Sequence, residues 1–85
     1  MYTYTKTRYE NGQLDGTCFP GDEYATRDEA IKAARDMAKY WKYNYAAHYT
    51  TKHASVMDTE NGATLLVETT DGRNLLTYYE VVSEN

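Results

Sequence analysis

The sequence predicts a small α+β domain of order ββαβββ, a mostly antiparallel sheet with one helix packed on one face. Three observations carry that expectation. The dipeptides Asn11-Gly12, Asn61-Gly62 and Asp71-Gly72 place residues that tolerate positive φ between segments of strand character. Most of the 12 Thr fall before residue 8 or after residue 49, and β-branched side chains favour strands. Between the two strand-rich ends lies one segment with a helix-start signature and helical spacing of its apolar residues.

The first strand is expected over Tyr2–Glu10, and Asn11-Gly12 turns it into a second over Gln13–Phe19. Asp15-Gly16 weakens that second strand. Reading residues 10–27 as one connection would instead need an 18-residue structureless loop, uncommon in so small a domain. Without the second strand the order becomes βαβββ, which resembles the layout of the cystatin-type protease inhibitors. Those inhibitors carry a Gln-x-Val-x-Gly hairpin loop. The loops here read Asp58-Thr59-Glu60-Asn61-Gly62 and Thr70-Asp71-Gly72-Arg73, so the resemblance implies no inhibitory residues.

Thr26-Arg27-Asp28-Glu29 matches a capping box, in which the Thr hydroxyl accepts from a backbone N–H and the Glu reaches back. Asp28 and Glu29 also suit the positive end of the helix dipole. Apolar residues at 30, 31, 34, 37, 38, 41 and 45 keep the spacing of one buried face over Asp28–Tyr45, with Trp41 as its largest anchor. Such a helix is ~27 Å long at 1.5 Å per residue. An eight-residue strand spans ~26 Å, so one helix can lie along the sheet. The remaining strands, Ala54–Glu60, Ala63–Thr70 and Arg73–Val82, form a meander.

The 85 residues make one domain, 1–85, whose core is necessarily modest. Leu, Ile, Val and Phe number only 11, a level at which disorder becomes a concern. The net charge of −4 is too small for disorder, and ten Tyr supply large apolar area with a polar tip. A lone Cys18 excludes an internal disulfide, and Met1 runs into Tyr2-Thr3-Tyr4-Thr5 with no basic start and apolar run. A cytoplasmic protein is therefore expected, with no membrane partner and no attraction of the whole chain to nucleic acid.

The clearest functional hint is an imbalance of faces. In the last strand Leu75, Thr77, Tyr79 and Val81 point one way while Leu76, Tyr78, Glu80 and Val82 point the other. Neither set is polar, and one helix cannot cover both. With Leu66 from the preceding strand, Leu66, Leu76, Tyr78 and Val82 form a candidate partner-binding face. Tyr40 and Tyr43 fall off the buried helix stripe and are further candidates, since Tyr is favoured at recognition surfaces. Carboxylates at Asp15, Asp22, Glu23, Asp58 and Glu60 sit on loops and hairpins, where they would engage Lys and Arg of a nucleic-acid-binding partner protein.

Residues 27–42 hold five basic and three acidic side chains, a local +2 that leaves −6 for the rest. Lys32, Arg35, Lys39 and Lys42 recur at helical spacing as a basic ridge, which a phosphate backbone would read. Without a Lys/Arg-Gly-Phe/Tyr strand motif, base stacking has little support. Cys18, His48 and His53 lack metal-ligand spacing and carry no nucleophile motif, so no metal, cofactor or catalytic residue is assigned.

The expected function is a non-enzymatic protein-binding module that occupies a surface of another protein. Small size, acidity and the lack of a catalytic motif fit an inhibitor encoded by a phage or other mobile element, of which anti-CRISPR proteins are the best-known kind. No motif of such a family is present. A homodimeric structural module using the same face, and a single-stranded nucleic-acid binder using the basic ridge and Tyr residues, are the alternatives.

Overall fold

The computed structural model describes residues 1–19 and 21–83, in the order β-β-α-β-β-β. Strands β1 (Tyr2–Glu10), β2 (Gln13–Cys18), β3 (Thr51–Thr59), β4 (Gly62–Thr69) and β5 (Asn74–Ser83) form one antiparallel sheet. The strand order is β2-β1-β5-β4-β3, so β5 is inserted between β1 and β4. Helix α1 (Arg27–Ala46) covers one face. Among the described residues no helix is long and apolar enough to cross a membrane.

Each turn follows from its residues. Asn11 (φ 51°) and Gly12 (φ 82°) make the two-residue connection between β1 and β2, a backbone that Asn and Gly accept at little cost. The second turn is one residue earlier than expected: Glu60-Asn61 form it, and Gly62 already pairs with Thr59 and Glu80. Packing explains the shift, because a Cβ on Gly62 would strike the Tyr79 carbonyl oxygen and lie 3.5 Å from the Ala34 Cβ. The third connection is a four-residue loop, Thr70 to Arg73, rather than Asp71-Gly72 alone. There the Thr69 hydroxyl donates to the Asp71 carboxylate and accepts from the Arg73 N–H at 3.0 Å, while Gly72 takes φ 88°.

The Thr26 cap forms as expected, its Oγ1 accepting from the Glu29 N–H at 3.2 Å. Strand β2 stops at Cys18, one residue short of the expected end at Phe19, and Pro20 lies outside the described residues. Tyr24 makes an antiparallel bridge to Tyr2, with N–H···O distances of 2.8 and 2.7 Å, and this ties the segment before the helix to the start of β1.

The helix contributes small side chains to the core and the sheet contributes large ones. Ala30, Ile31, Ala34 and Ala38 are the buried helix residues, and the largest fully buried side chains are Tyr4, Tyr79, Leu65 and Val67. Alanines at the seam let the helix axis approach the sheet closely. Trp41 is not the deep anchor that the helical spacing suggested: it is half-buried at the margin of the core, with Lys6 Nζ 4.7 Å from its ring centroid. The cause is lateral placement. Helix α1 lies over β3, β4 and β5, reaches β1 and makes no contact with β2, which is exposed along its length.

Candidate interaction surface

The face opposite α1 is built by register. Tyr9, Leu76, Leu66 and Ser55 lie side by side across β1, β5, β4 and β3, and the next row is Thr7, Tyr78, Thr64 and Met57. Thr5 and Glu80 begin a third row. At the other end Glu68 pairs with both Asn74 and His53. Leu76 and Tyr78 point away from the helix because their neighbours Leu75, Thr77 and Tyr79 fill the core, and strand side chains alternate.

These rows enclose an open trough of about 690 Å³ lined chiefly by Thr5, Thr7, Tyr9, Leu66, Leu76, Tyr78 and Glu80. Tyr9 and Tyr78 form an aromatic wall, their rings edge-to-face at 5.8 Å and 88°. Threonines make the floor, with the Thr7 and Thr17 hydroxyls 3.2 Å apart. The Thr5 hydroxyl donates to the Glu80 carbonyl at 3.4 Å. Among the described residues no element covers this trough, and the carboxylates in its rows are those of Glu68, which has His53 beside it on β3, and Glu80.

The structure thus brings Leu66, Leu76 and Tyr78 together. Val82 pairs with Thr3 on the same side of the sheet, one row beyond Glu80. The other sequence candidates do not join them. Tyr40 and Tyr43, 59% and 76% exposed, stand on the outer face of α1, on the far side of the molecule. The Asp15 carboxylate accepts from Arg8 Nε at 2.8 Å within the β1–β2 hairpin. Asp58 is beside Arg35 at 3.9 Å under the helix, and Glu60 is in the β3–β4 turn. Asp22 and Glu23 are exposed beside the start of β1, where the Asp22 carbonyl accepts from the hydroxyl of Thr3, the residue paired with Val82, at 2.7 Å. The acids therefore form no single cluster.

The basic ridge is also altered. Arg35 turns inward and donates to the Gly62 carbonyl at 2.9 Å and the Thr59 carbonyl at 2.6 Å, so it fastens the helix to the β3–β4 hairpin. Lys32 pairs with Asp36 at 2.8 Å. Cys18 and His53 lie on opposite edge strands of the sheet, and His48 bonds to its neighbour Thr50 at 2.6 Å.

Sequence reasoning missed Tyr9, Thr5, Thr7 and Glu68 as members of the surface. Their signal was the two-residue alternation of the first strand, but its partner strand was unknown. No protein-family model, curated protein or solved structure matches this chain.

Proposed function

We propose that this chain is a non-enzymatic protein-binding module that acts by occupying a surface of another protein with the sheet face opposite its helix. The supporting observation is the uncovered trough in which Leu66, Leu76 and the Tyr9–Tyr78 pair stand together. Apolar side chains grouped in this way on a small domain usually mark an interface, and rigid aromatic residues commonly anchor one. The carboxylates of Glu68 and Glu80 at its ends favour a basic partner, such as a nucleic-acid-binding host protein. An inhibitor made by a phage or other mobile element, working in the host cytoplasm, is the setting that fits the size and acidity of the chain.

The test is retention of a protein from nuclease-treated cytosol by the immobilised chain, followed by affinity measurement on the protein retained. Tyr78→Ala should weaken that affinity by about 30-fold or more while the variant stays folded. An unchanged affinity would remove this face from the reading. Light scattering across micromolar concentrations provides the second check, since growth to a dimer that Tyr78→Ala abolishes would assign the face to a second copy instead.

A further inference from the structure

We infer that the occupant of the open sheet face is an amphipathic α-helix whose apolar stripe carries Lys or Arg near each end, an inference that rests on the protein-binding reading above. Backbone chemistry comes first. Strands β1, β5 and β4, which bear the trough, are each hydrogen-bonded on both sides, so the face itself has no free backbone donors or acceptors. An extended segment lying on it would bury its own N–H and C=O groups without partners, whereas a helix satisfies them internally. Strand addition is restricted to the outer edges of β2 and β3, away from Leu66 and Leu76.

Dimensions agree. The three strands have nine, ten and eight residues, or about 26–33 Å at 3.3 Å per residue, the length of a helix of about 18–22 residues at 1.5 Å each. Two of them, β4 and β5, already hold the 20-residue α1 on their other face, and α1 reaches the third, β1. A second helix would complete a three-layer sandwich.

Charge then specifies the helix. Glu80 lies opposite Gly62 and Glu68 opposite Asn74, so the two carboxylates are separated along the sheet by the six positions between residues 74 and 80 of β5. That is about 20 Å, or about 13 residues of helix, with Leu66, Leu76 and Tyr78 between them. Two basic residues about four turns apart, flanking an apolar stripe, would meet both carboxylates at once. Two copies joined through the same face would instead oppose like charges, so self-pairing is disfavoured.

The experiment uses the full chain and three synthetic 20-residue peptides, with binding followed by methyl and amide NMR. The first peptide is Leu and Lys in helical period, the second has the same composition in strict alternation, and the third replaces Lys by Glu in the helical pattern. The first should shift Leu66, Leu76 and Tyr78 signals and leave the buried Ile31 and Ala38 unmoved. Its affinity should fall about tenfold or more in Glu68→Lys/Glu80→Lys, and measurably in the milder Glu80→Gln if the double variant does not fold. The third peptide should not bind. Equal binding of the alternating peptide at the trough, shifts confined to β2, β3 or the outer face of α1, or indifference to the charge changes would overturn the inference. If the peptides fail while Tyr78→Ala still abolishes retention of the natural partner, the helix is wrong and the protein-binding reading stands. If Tyr78→Ala has no effect either, both fall.

Discussion

Tyr78 and Tyr79 are adjacent in β5 and belong to opposite sides of the molecule. The Tyr79 side chain is fully buried beneath α1, its ring centroid 6.4 Å from that of Tyr4, while Tyr78 stands edge-to-face with Tyr9 on the open face of the sheet. Residue type is the same at both positions. Strand alternation alone makes one a core residue and the other a surface anchor.

Truncating the two should therefore separate folding from binding. Tyr79→Ala removes a ring from a filled core and should cost about 3–5 kcal/mol in urea unfolding. Tyr78→Ala should cost about 1 kcal/mol of stability or less, yet about 2 kcal/mol or more of partner affinity. A reversed order of stability losses would mean that β5 runs in the opposite register.

The Tyr79 hydroxyl is buried with no hydrogen-bond partner among the described residues, and burial pushes its ionisation well above the usual phenol value. An unpaired polar atom in an apolar site is a net cost. Tyr79→Phe should raise stability by about 1 kcal/mol, read from the midpoint of urea unfolding. A loss of that size would show that the hydroxyl is satisfied by bound water.

Arg35 and the lysines of the helix should behave differently. Arg35→Met leaves the Gly62 and Thr59 carbonyls without their donor and should destabilise by about 1–3 kcal/mol. Lys39→Glu with Lys42→Glu should change stability by less than about 0.5 kcal/mol. If the lysine pair also leaves partner binding intact, the outer helix face is excluded. Salt-sensitive binding of an oligonucleotide that the double change abolishes would restore the nucleic-acid reading.

Asp71 offers a pH test. A hydrogen bond from the Thr69 hydroxyl, and then the Arg73 guanidinium, hold its carboxyl below the usual carboxylate range. Its folded value is depressed, so its contribution to stability is present above the unfolded value of about 3.9 and disappears as pH falls through the folded value. Carboxyl NMR should show a low midpoint for Asp71 that rises towards about 3.9 in Thr69→Val. An unmoved midpoint would remove the hydroxyl as the main cause.

Trp41→Ala should cost about 2 kcal/mol, below the usual loss for a core Trp, because the ring sits at the margin and Lys6 covers part of it. A loss of about 4 kcal/mol or more would place it in the core proper.

The order of elements was legible in the sequence because its signals are local. Asn11-Gly12 specifies a left-handed turn, Thr26 caps the helix with a side chain three residues from its target, and alternation assigns Leu76 and Tyr78 to one face and Tyr79 to the other. Those decisions involve neighbours in the chain. They sufficed for ββαβββ and for three members of the candidate surface.

Strand order was decided only by tertiary structure, since nothing local says that β5 enters between β1 and β4. That insertion sets Tyr9 against Tyr78 and Thr7 against Tyr78, and so builds the trough from residues about 70 positions apart. The lateral seat of α1 was likewise hidden, because helical spacing gives the buried stripe but not which strands it covers. Placement over β3, β4 and β5 left Trp41 at the edge and drew Arg35 inward. Close approach to the Tyr79 carbonyl held Gly62 inside β4, moving a turn that sequence alone centred one residue later. Packing geometry, a property of distant residues meeting, made each of these choices.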